Sequence, residues 1–312
     1  MGRTMLVASP GGHLDELRIM VDLLHLDTSD LFWVTGRTPQ TESLLEGMAV
    51  EWIPRVGSGE IRKAALGLPA ALRLHRRVRP DLLVSTGALF SSPHLVAATL
   101  LGCTTWFIDS ATRVKAPSRT GAFAARFTRA ELFVQGAGWG DPRWTCVPSV
   151  FDAFEVGPTD DPVGLGDLHT ATVSLGTELW PFRRAVDAVL GRLGDLDLDL
   201  TWQTGVTEVV HHGALLPQWQ PASQLHRAFG ASDVVITHAG VGSVLSVLAQ
   251  GRVPLILPRV SSHEEMIDDH QVEFAEMIAE LGLAVVVDPD DLTADHVVRA
   301  ANLRARRVPP AE

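Results

Sequence analysis

Short apolar runs alternate with longer amphipathic stretches along almost the whole chain, and the alternation is interrupted once. Thr4–Ala8, Leu31–Thr35, Val50–Pro54, Leu82–Ser85, Thr104–Ile108 and Leu132–Val134 have the length and composition of buried strands. Between them, 14–24, 39–47, 60–78, 91–101 and 120–129 are expected as helices. Pro148, Pro158 and Pro162, with glycines and paired acids, break the rhythm over 148–169. It then restarts: Ala171–Leu175, Leu198–Gln203, Val234–Thr237, Val253–Leu257 and Leu283–Val287 as strands, and 180–193, 222–230, 241–250, 267–281 and 293–306 as helices. Strand and helix in strict turn build parallel sheets covered on both faces. The expected fold is therefore α/β, with two Rossmann-like doubly wound domains, residues 1–150 and 170–312, joined by a linker at 151–169. In such sheets ligands bind beyond the carboxyl ends of the strands. Two such ends facing a cleft would bring two substrates together.

Composition narrows the class. The chain has 312 residues, 46% of them hydrophobic, which is enough for two cores. Cys103 and Cys146 are the only cysteines, so there is neither a disulfide framework nor a cysteine-based metal site, and a reduced, cytoplasmic setting is expected. No apolar run approaches the length of a membrane span, and Met5–Ala8 is too short for a signal peptide. Net charge is −11, divided unevenly: 16 basic and 13 acidic residues up to position 150, against 10 and 24 after it. An acidic total argues against general nucleic-acid binding.

The sharpest local feature is Thr237-His238-Ala239-Gly240-Val241-Gly242-Ser243, which follows a strand and opens a helix. Its glycines let backbone amides approach a ligand, and the helix N-terminus carries about half a positive charge, so the segment can cradle a diphosphate. It lacks the third glycine of the dinucleotide fingerprint and the lysine of a Walker loop. A tight strand-to-helix turn would look the same. After the next strand come Arg259 and then Asp268-Asp269-His270-Gln271, a mixed donor and acceptor set suited to sugar hydroxyls. A capped, solvated helix start would also explain it.

Taken together, residues 233–291 resemble the donor half of the MurG-like glycosyltransferases. They are most similar to the catalytic subunit of the two-part dolichol-pathway N-acetylglucosaminyltransferase and its bacterial exopolysaccharide relatives. The matching segments are Thr237–Ser243, Ala249-Gln-Gly-Arg-Val-Pro-Leu-Ile-Leu-Pro-Arg259, and His263 followed by Asp268-Asp-His-Gln-Val-Glu-Phe-Ala275. Val173-Ser-Leu-Gly176-Thr177 and Gln203-Thr-Gly205 match as well. The N-terminal half resembles the partner subunit through Ser9-Pro-Gly11-Gly12-His13, Ser85-Thr-Gly87 and Phe107-Ile-Asp109-Ser-Ala-Thr-Arg113-Val-Lys115. The resemblance implies both subunits fused in one chain with a GT-B-type fold.

It also implies an inverting, metal-independent transfer from a nucleotide diphosphate sugar, most often UDP-linked, to a hydroxyl on a lipid-linked or small-molecule acceptor. No cofactor is implied. The diphosphate falls to His238–Ser243 with Gly176 and Thr177, and the ribose and sugar to Ser246, Arg259, Asp268, Asp269, His270 and Gln271. Relatives carry Glu where Ser246 stands, and Glu where Asp109 stands. The acceptor side falls to Gly11, Gly12, Arg113 and Lys115.

His13, on a glycine turn after the first strand, is the first candidate for the general base, because its ordinary pKa suits the task. Asp109 is the second and His94 the third. His211 and His212 are expected in a loop. Arg62, Lys63, Arg73, Arg76, Arg77 and Arg79, spaced by leucines, form a basic amphipathic stretch that could rest on an anionic membrane or simply face solvent. Three other readings stay open: a nucleotide-sugar 2-epimerase of the same fold, a non-catalytic binder favoured by Ser246, and a dehydrogenase disfavoured by the glycine spacing.

Overall fold

The computed structural model describes the chain except Met1, Arg55, Ser58, 177–179, Asp195 and 309–312, and except the side chains of Pro39 and Gln40. The described residues form two compact units, one ending at Asp152 and one beginning at Ala153.

The first unit is built on β1 (Thr4–Ala8), α1 (Gly12–Leu23), β2 (Leu31–Gly36), α2 (Pro39–Leu44), β3 (Ala49–Ile53), α3 (Ile61–Leu66), α4 (Leu68–Val78), β4 (Leu82–Gly87), α5 (Ser92–Leu101), β5 (Thr104–Ile108), α6 (Arg119–Phe127), β6 (Glu131–Gln135) and β7 (Trp144–Val147). Its sheet has the order β3-β2-β1-β4-β5-β6-β7 and is parallel throughout. The strand sequence reverses between β1 and β4, so the carboxyl ends of those two strands mark the crevice of the sheet. Met5, Val7, Val34, Leu83 and Phe107 face Leu74, Leu95 and Ala98 of α4 and α5 in one apolar layer. The single helix expected over 60–78 is two: Gly67 interrupts it, and Pro69 sits in the first turn of α4, where its missing amide costs nothing.

The second unit contains β8 (Phe154–Pro158), β9 (Thr170–Ser174), α7 (Arg183–Leu193), β10 (Asp199–Gln203), a hairpin of β11 (Val210–His211) and β12 (Ala214–Leu215), α8 (Ala222–Ala231), β13 (Val234–His238), α9 (Val241–Ala249), β14 (Pro254–Leu257), α10 (His270–Glu280), β15 (Val285–Val286), α11 (Ala294–Ala301) and β16 (Leu303–Arg307). The order β10-β9-β13-β14-β15 is again parallel, with the reversal between β9 and β13. Val173, Ile236 and Leu255 pack on α7 and α11, while Val235 meets Phe229 of α8 and Val247 of α9 on the opposite face.

Two expectations need correction here. The segment 151–169 is not a bare linker, because β8 within it pairs antiparallel with β16 from Leu303↔Pro158 to Arg307↔Phe154. The last helix does not run to 306. Asn302 ends it by donating to Val298 O at 3.0 Å and to Val163 O at 2.8 Å, and the chain turns into the strand. Leu303 and Ala305 alternating with arginines carry the period of two that a strand requires.

Candidate functional site

Each sheet reverses its strand sequence once, between β1 and β4 and between β9 and β13, and several residues singled out in the sequence lie just past those strand ends. In the second unit β13 ends at His238, and Gly240 is the N-cap of α9 with no side-chain cap bond. The helical ladder begins with Val244 N donating to Gly240 O at 3.0 Å, so the amides of Val241, Gly242 and Ser243 lie ahead of it. The segment can therefore meet negative charge with several amides and the helix dipole.

The turn is shaped by His238. A Cβ on Gly240 would lie 2.4 Å from its Nε2, and a Cβ on Gly176 would lie 2.4 Å from its Cε1. The imidazole is thus clasped between the glycine after β9 and the glycine before α9. Position 176 favours glycine for another reason, since its φ of +79° is one that residues with a Cβ rarely adopt. Burial, helped by the Arg259 cation, pushes the His238 pKa down to about 3, so the ring is neutral at physiological pH. Ser246 is half-buried on α9, one turn beyond Ser243. Thr177 lies outside the described residues.

Arg259 departs from expectation. It was expected to offer a cation to the donor, but it is 1% exposed and its guanidinium is spent on main-chain carbonyls. It donates to Leu175 O at 3.0 Å, Trp180 O at 2.7 Å and Glu265 O at 3.2 Å, and stacks over Phe182 at 4.5 Å. Its work is to hold the loops that follow β9 and β14. Beside it Glu265 receives both arms of Arg184 at 3.1 Å, and Arg184 also meets Asp288. Asp269 accepts from Ser261 N at 2.7 Å, His270 is paired with Asp268, and Gln271 is buried with its Oε1 facing Arg259 N at 3.5 Å. The loop carrying the expected sugar contacts is therefore tied to its own strand end.

In the first unit Gly11, at φ +89°, turns the chain from β1 into α1, and Gly12 and His13 begin the helix. His13 Nδ1 lies 3.0 Å from Thr86 O at the end of β4, and Thr86 Oγ1 donates to His13 O at 2.6 Å. A carbonyl can only accept, so Nδ1 carries the proton and Nε2 keeps its lone pair. Burial lowers the His13 pKa, with Asp109 and the Thr86 carbonyl opposing, which favours the neutral ring a base requires.

Asp109 is not available in the same way. It is 1% exposed, and its carboxylate accepts from Ser110 N at 3.0 Å and Ser118 N at 2.8 Å. It closes the loop that carries Arg113 and Lys115 and does not stand open as a second base. His94 is buried too, its ring 5.6 Å from that of His75 on α4. His211 and His212 lie at the β11–β12 hairpin.

Sequence reasoning missed Thr86 as the partner of His13, and it missed Asp15 and Glu16 in the first turns of α1. Burial pushes both carboxyls up to about 7. The acids were indistinguishable from ordinary dipole-compensating residues at a helix start. Among the described residues no group of three or more His, Cys, Asp or Glu side chains gathers as a metal site would need.

Residues 220–302 match the glycosyltransferase family 28 C-terminal domain. The UDP-N-acetylglucosamine–N-acetylmuramyl-(pentapeptide) pyrophosphoryl-undecaprenol N-acetylglucosamine transferase of Methylococcus capsulatus is 26% identical over 334 aligned positions, covering 96% of this chain and 88% of the relative. The UDP-N-acetylglucosamine transferase subunit ALG13 of Cryptococcus neoformans is 43% identical over 63 residues, covering 20% of this chain and 30% of that subunit. Among solved structures, MurG of Acinetobacter baumannii shares the fold with a TM-score of 0.54 at 17% identity, covering 95% of this chain and 89% of that one. The two α/β units follow the GT-B fold of that structure.

Proposed function

We propose that this chain, a homologue of the MurG-type transferases, is an inverting glycosyltransferase that moves a sugar from a UDP-sugar to a hydroxyl of a lipid-linked acceptor. The observation that carries the reading is the open N-terminus of α9, shaped by His238 between Gly176 and Gly240, inside the segment that matches the family 28 domain. Because the relatives are transferases, the epimerase reading is the weaker one.

In this proposal the acceptor oxygen attacks the anomeric carbon of the donor while the bond from that carbon to the diphosphate oxygen breaks. The electron pair leaves with the diphosphate, and the anomer inverts. Charge growing on the diphosphate meets the amides of Val241, Gly242 and Ser243 and the dipole of α9, which are oriented before the reaction begins. The acceptor proton passes to His13 Nε2, while Thr86 holds the ring through Nδ1. The ribose and sugar fall to Ser246, Asp268, Asp269, His270 and Gln271. Gly11, Gly12, Arg113 and Lys115 lie on the acceptor side, where a lipid diphosphate would present its negative charge. N-acetylglucosamine is the sugar this reading would test first.

A lipid-linked acceptor calls for contact with a membrane surface. No helix among the described residues is long and apolar enough to cross one. The helix α3 instead exposes Ile61 and Leu66, 69% and 81% accessible, beside Arg62 and Lys63. Exposed apolar side chains with a basic rim suit a peripheral hold on anionic lipid.

The test is a thermal-shift series with UDP, dTDP, GDP and their sugar conjugates, with and without Mg2+. A ligand at 100 times its dissociation constant adds about 2.7 kcal/mol of stability. A shift with UDP, together with a fall in turnover of about 100-fold or more in His13→Ala at unchanged UDP binding, is expected. No shift with any nucleotide would overturn the donor site, and near-normal turnover in His13→Ala would move the base elsewhere.

A further inference from the structure

Glu16 lies three positions beyond His13 on α1 and is 1% exposed. Its carboxylate collects donors from two other elements. Ser110 Oγ donates to Oε1 at 2.7 Å, Ala111 N to Oε2 at 3.2 Å, and Gln135 Nε2 to Oε2 at 2.9 Å. Gln135 also donates to Asp109 O at 3.0 Å and accepts from Val150 N at 3.0 Å. Thus one carboxylate joins the helix that bears the base to the ends of β5 and β6. It grips the loop after β5 at residues 110–111, and Asp109 grips the same loop at Ser118. Arg113 and Lys115 lie between the two grips.

We propose that Glu16 is the positioning residue that holds the acceptor-side loop, residues 110–118, in register with the His13 base. The inference rests on the transferase reading for its kinetic consequence but not for its structural one. The chemistry of the contact set is what distinguishes it from ordinary burial. Ala111 N and Gln135 Nε2 can only donate, and both meet Oε2, while Ser110 Oγ at Oε1 can donate or accept. A polar side chain of this length is therefore required. A leucine would leave Ala111 N and one N–H of Gln135 buried without a partner, a heavy loss for a loop of this size. An unpaired buried charge has the opposite problem and needs all three.

The arrangement is sensitive to proton binding. Burial pushes the Glu16 carboxyl up to about 7 against the pull of Ser110, Gln135 and Ala111, and Asp109 raises it further. Its surroundings hold His13 and Asp15 on the same helix, Asp109 and Arg113 on the loop side, and Ser110 and Gln135 as donors. A proton on Glu16 Oε1 can be donated to Ser110 Oγ, whose own hydroxyl can turn to Thr112 Oγ1 3.1 Å away, so the contact set survives protonation. Because the closed loop holds the carboxyl above its ordinary value, the closed state binds the proton more tightly than an opened one, and the loop should tighten as the pH falls from 8 to 6.

Amide hydrogen exchange of residues 110–118, corrected for intrinsic rates, tests this without any substrate. In the unmodified protein, protection at pH 8 should rise about tenfold at pH 6. Glu16→Leu should show lower protection than the unmodified protein at both pH values and lose that rise, with unchanged exchange in β1 and an unchanged UDP thermal shift. Asp15→Asn should keep the pH-dependent rise. With a UDP-sugar and an undecaprenyl-diphosphate-linked sugar as substrates, Glu16→Leu should raise the acceptor KM about tenfold and leave the donor KM alone. Should Glu16→Leu fail to fold, Ser110→Ala removes a single donor and keeps the charge, and it should loosen the loop and raise the acceptor KM in the same direction. Wild-type protection of 110–118 in Glu16→Leu, or in Ser110→Ala where that variant stands in for it, overturns the proposal. The exchange result stands whether or not transfer is ever detected, so its failure and that of the transferase reading are separately visible.

Discussion

Replacing Gly240 by alanine isolates the clasp around His238. The backbone at Gly240, φ −107° and ψ 128°, suits any residue, so alanine brings no conformational strain. What it brings is a methyl group 2.4 Å from His238 Nε2 and 2.9 Å from Cε1, where ordinary contact begins at 3.4 Å. The ring would have to give by about 1 Å, and the glycine on its other side already sits within the reach of a Cβ, so the turn that presents the amides of α9 must shift instead. Overpacking of this kind costs about 1–3 kcal/mol. If the displacement falls on the ligand-facing turn, about 2 kcal/mol corresponds to a UDP affinity roughly 30-fold weaker. The assay is a double-mutant cycle with His238→Ala, following denaturant stability and UDP binding by calorimetry. In the His238→Ala background the added methyl meets empty space, so Gly240→Ala should cost less than about 0.5 kcal/mol there, and the coupling should exceed about 1 kcal/mol. Additive costs in the two backgrounds would show that the ring does not shape the turn and would refute the reasoning.

Arg259→Met should lower the stability of the second unit by about 3 kcal/mol or more in urea unfolding, because three buried carbonyls lose a charged donor together. Its effect on UDP binding should be no larger than the loosening of the loop after β9 allows, and full stability with lost binding would restore Arg259 as a donor contact. The paired imidazoles in the first unit predict acid lability. Burial pushes His75 down to about 4 and His94, with His75 as a neighbour, to about 3. Both values lie below the unfolded 6.5, so from about pH 6.5 downward the unfolded chain takes up more protons and stability falls as the pH drops, by up to about 3 kcal/mol for His75. Asp15 and Glu16, held near 7, slope the other way, so the measurement is the difference between His75→Phe and the unmodified protein at pH 5 and pH 7. That difference should shrink the acid loss, and an unchanged loss would refute the assignment. Ile61→Glu with Leu66→Glu should abolish co-sedimentation with phosphatidylglycerol vesicles at unchanged stability, since both side chains already face solvent.

The fold was legible because a parallel sheet with helices on both faces leaves a strong periodic trace: buried runs such as Val234–Thr237 and Leu82–Ser85, each followed by a glycine turn and an amphipathic helix. The open turn into α9 was legible for the same reason, since glycines at 240 and 242 between a strand and a helix state a local requirement. What stayed hidden was how the side chains beyond strand ends are spent. Asp109, Arg259 and His13 gave the same signal in the sequence, a charged or titratable residue just past a buried strand, yet the structure uses them differently. Asp109 and Arg259 meet loops whose backbone groups would otherwise be buried without partners, so their charge is consumed locally by Ser110, Ser118, Leu175 and Trp180. His13 meets a single carbonyl, and it retains a nitrogen for other work. The distinction depends on the backbone donors and acceptors of neighbouring loops, which lie far away in the chain: 73 positions separate His13 from Thr86, and 84 separate Arg259 from Leu175. Buried backbone must be satisfied before any side chain can serve chemistry. It follows that, in a sheet of this kind, a titratable residue past a strand end is a credible reactive group only once the loops around it have been closed by others, and here Asp109 and Glu16 are the residues that close them around His13.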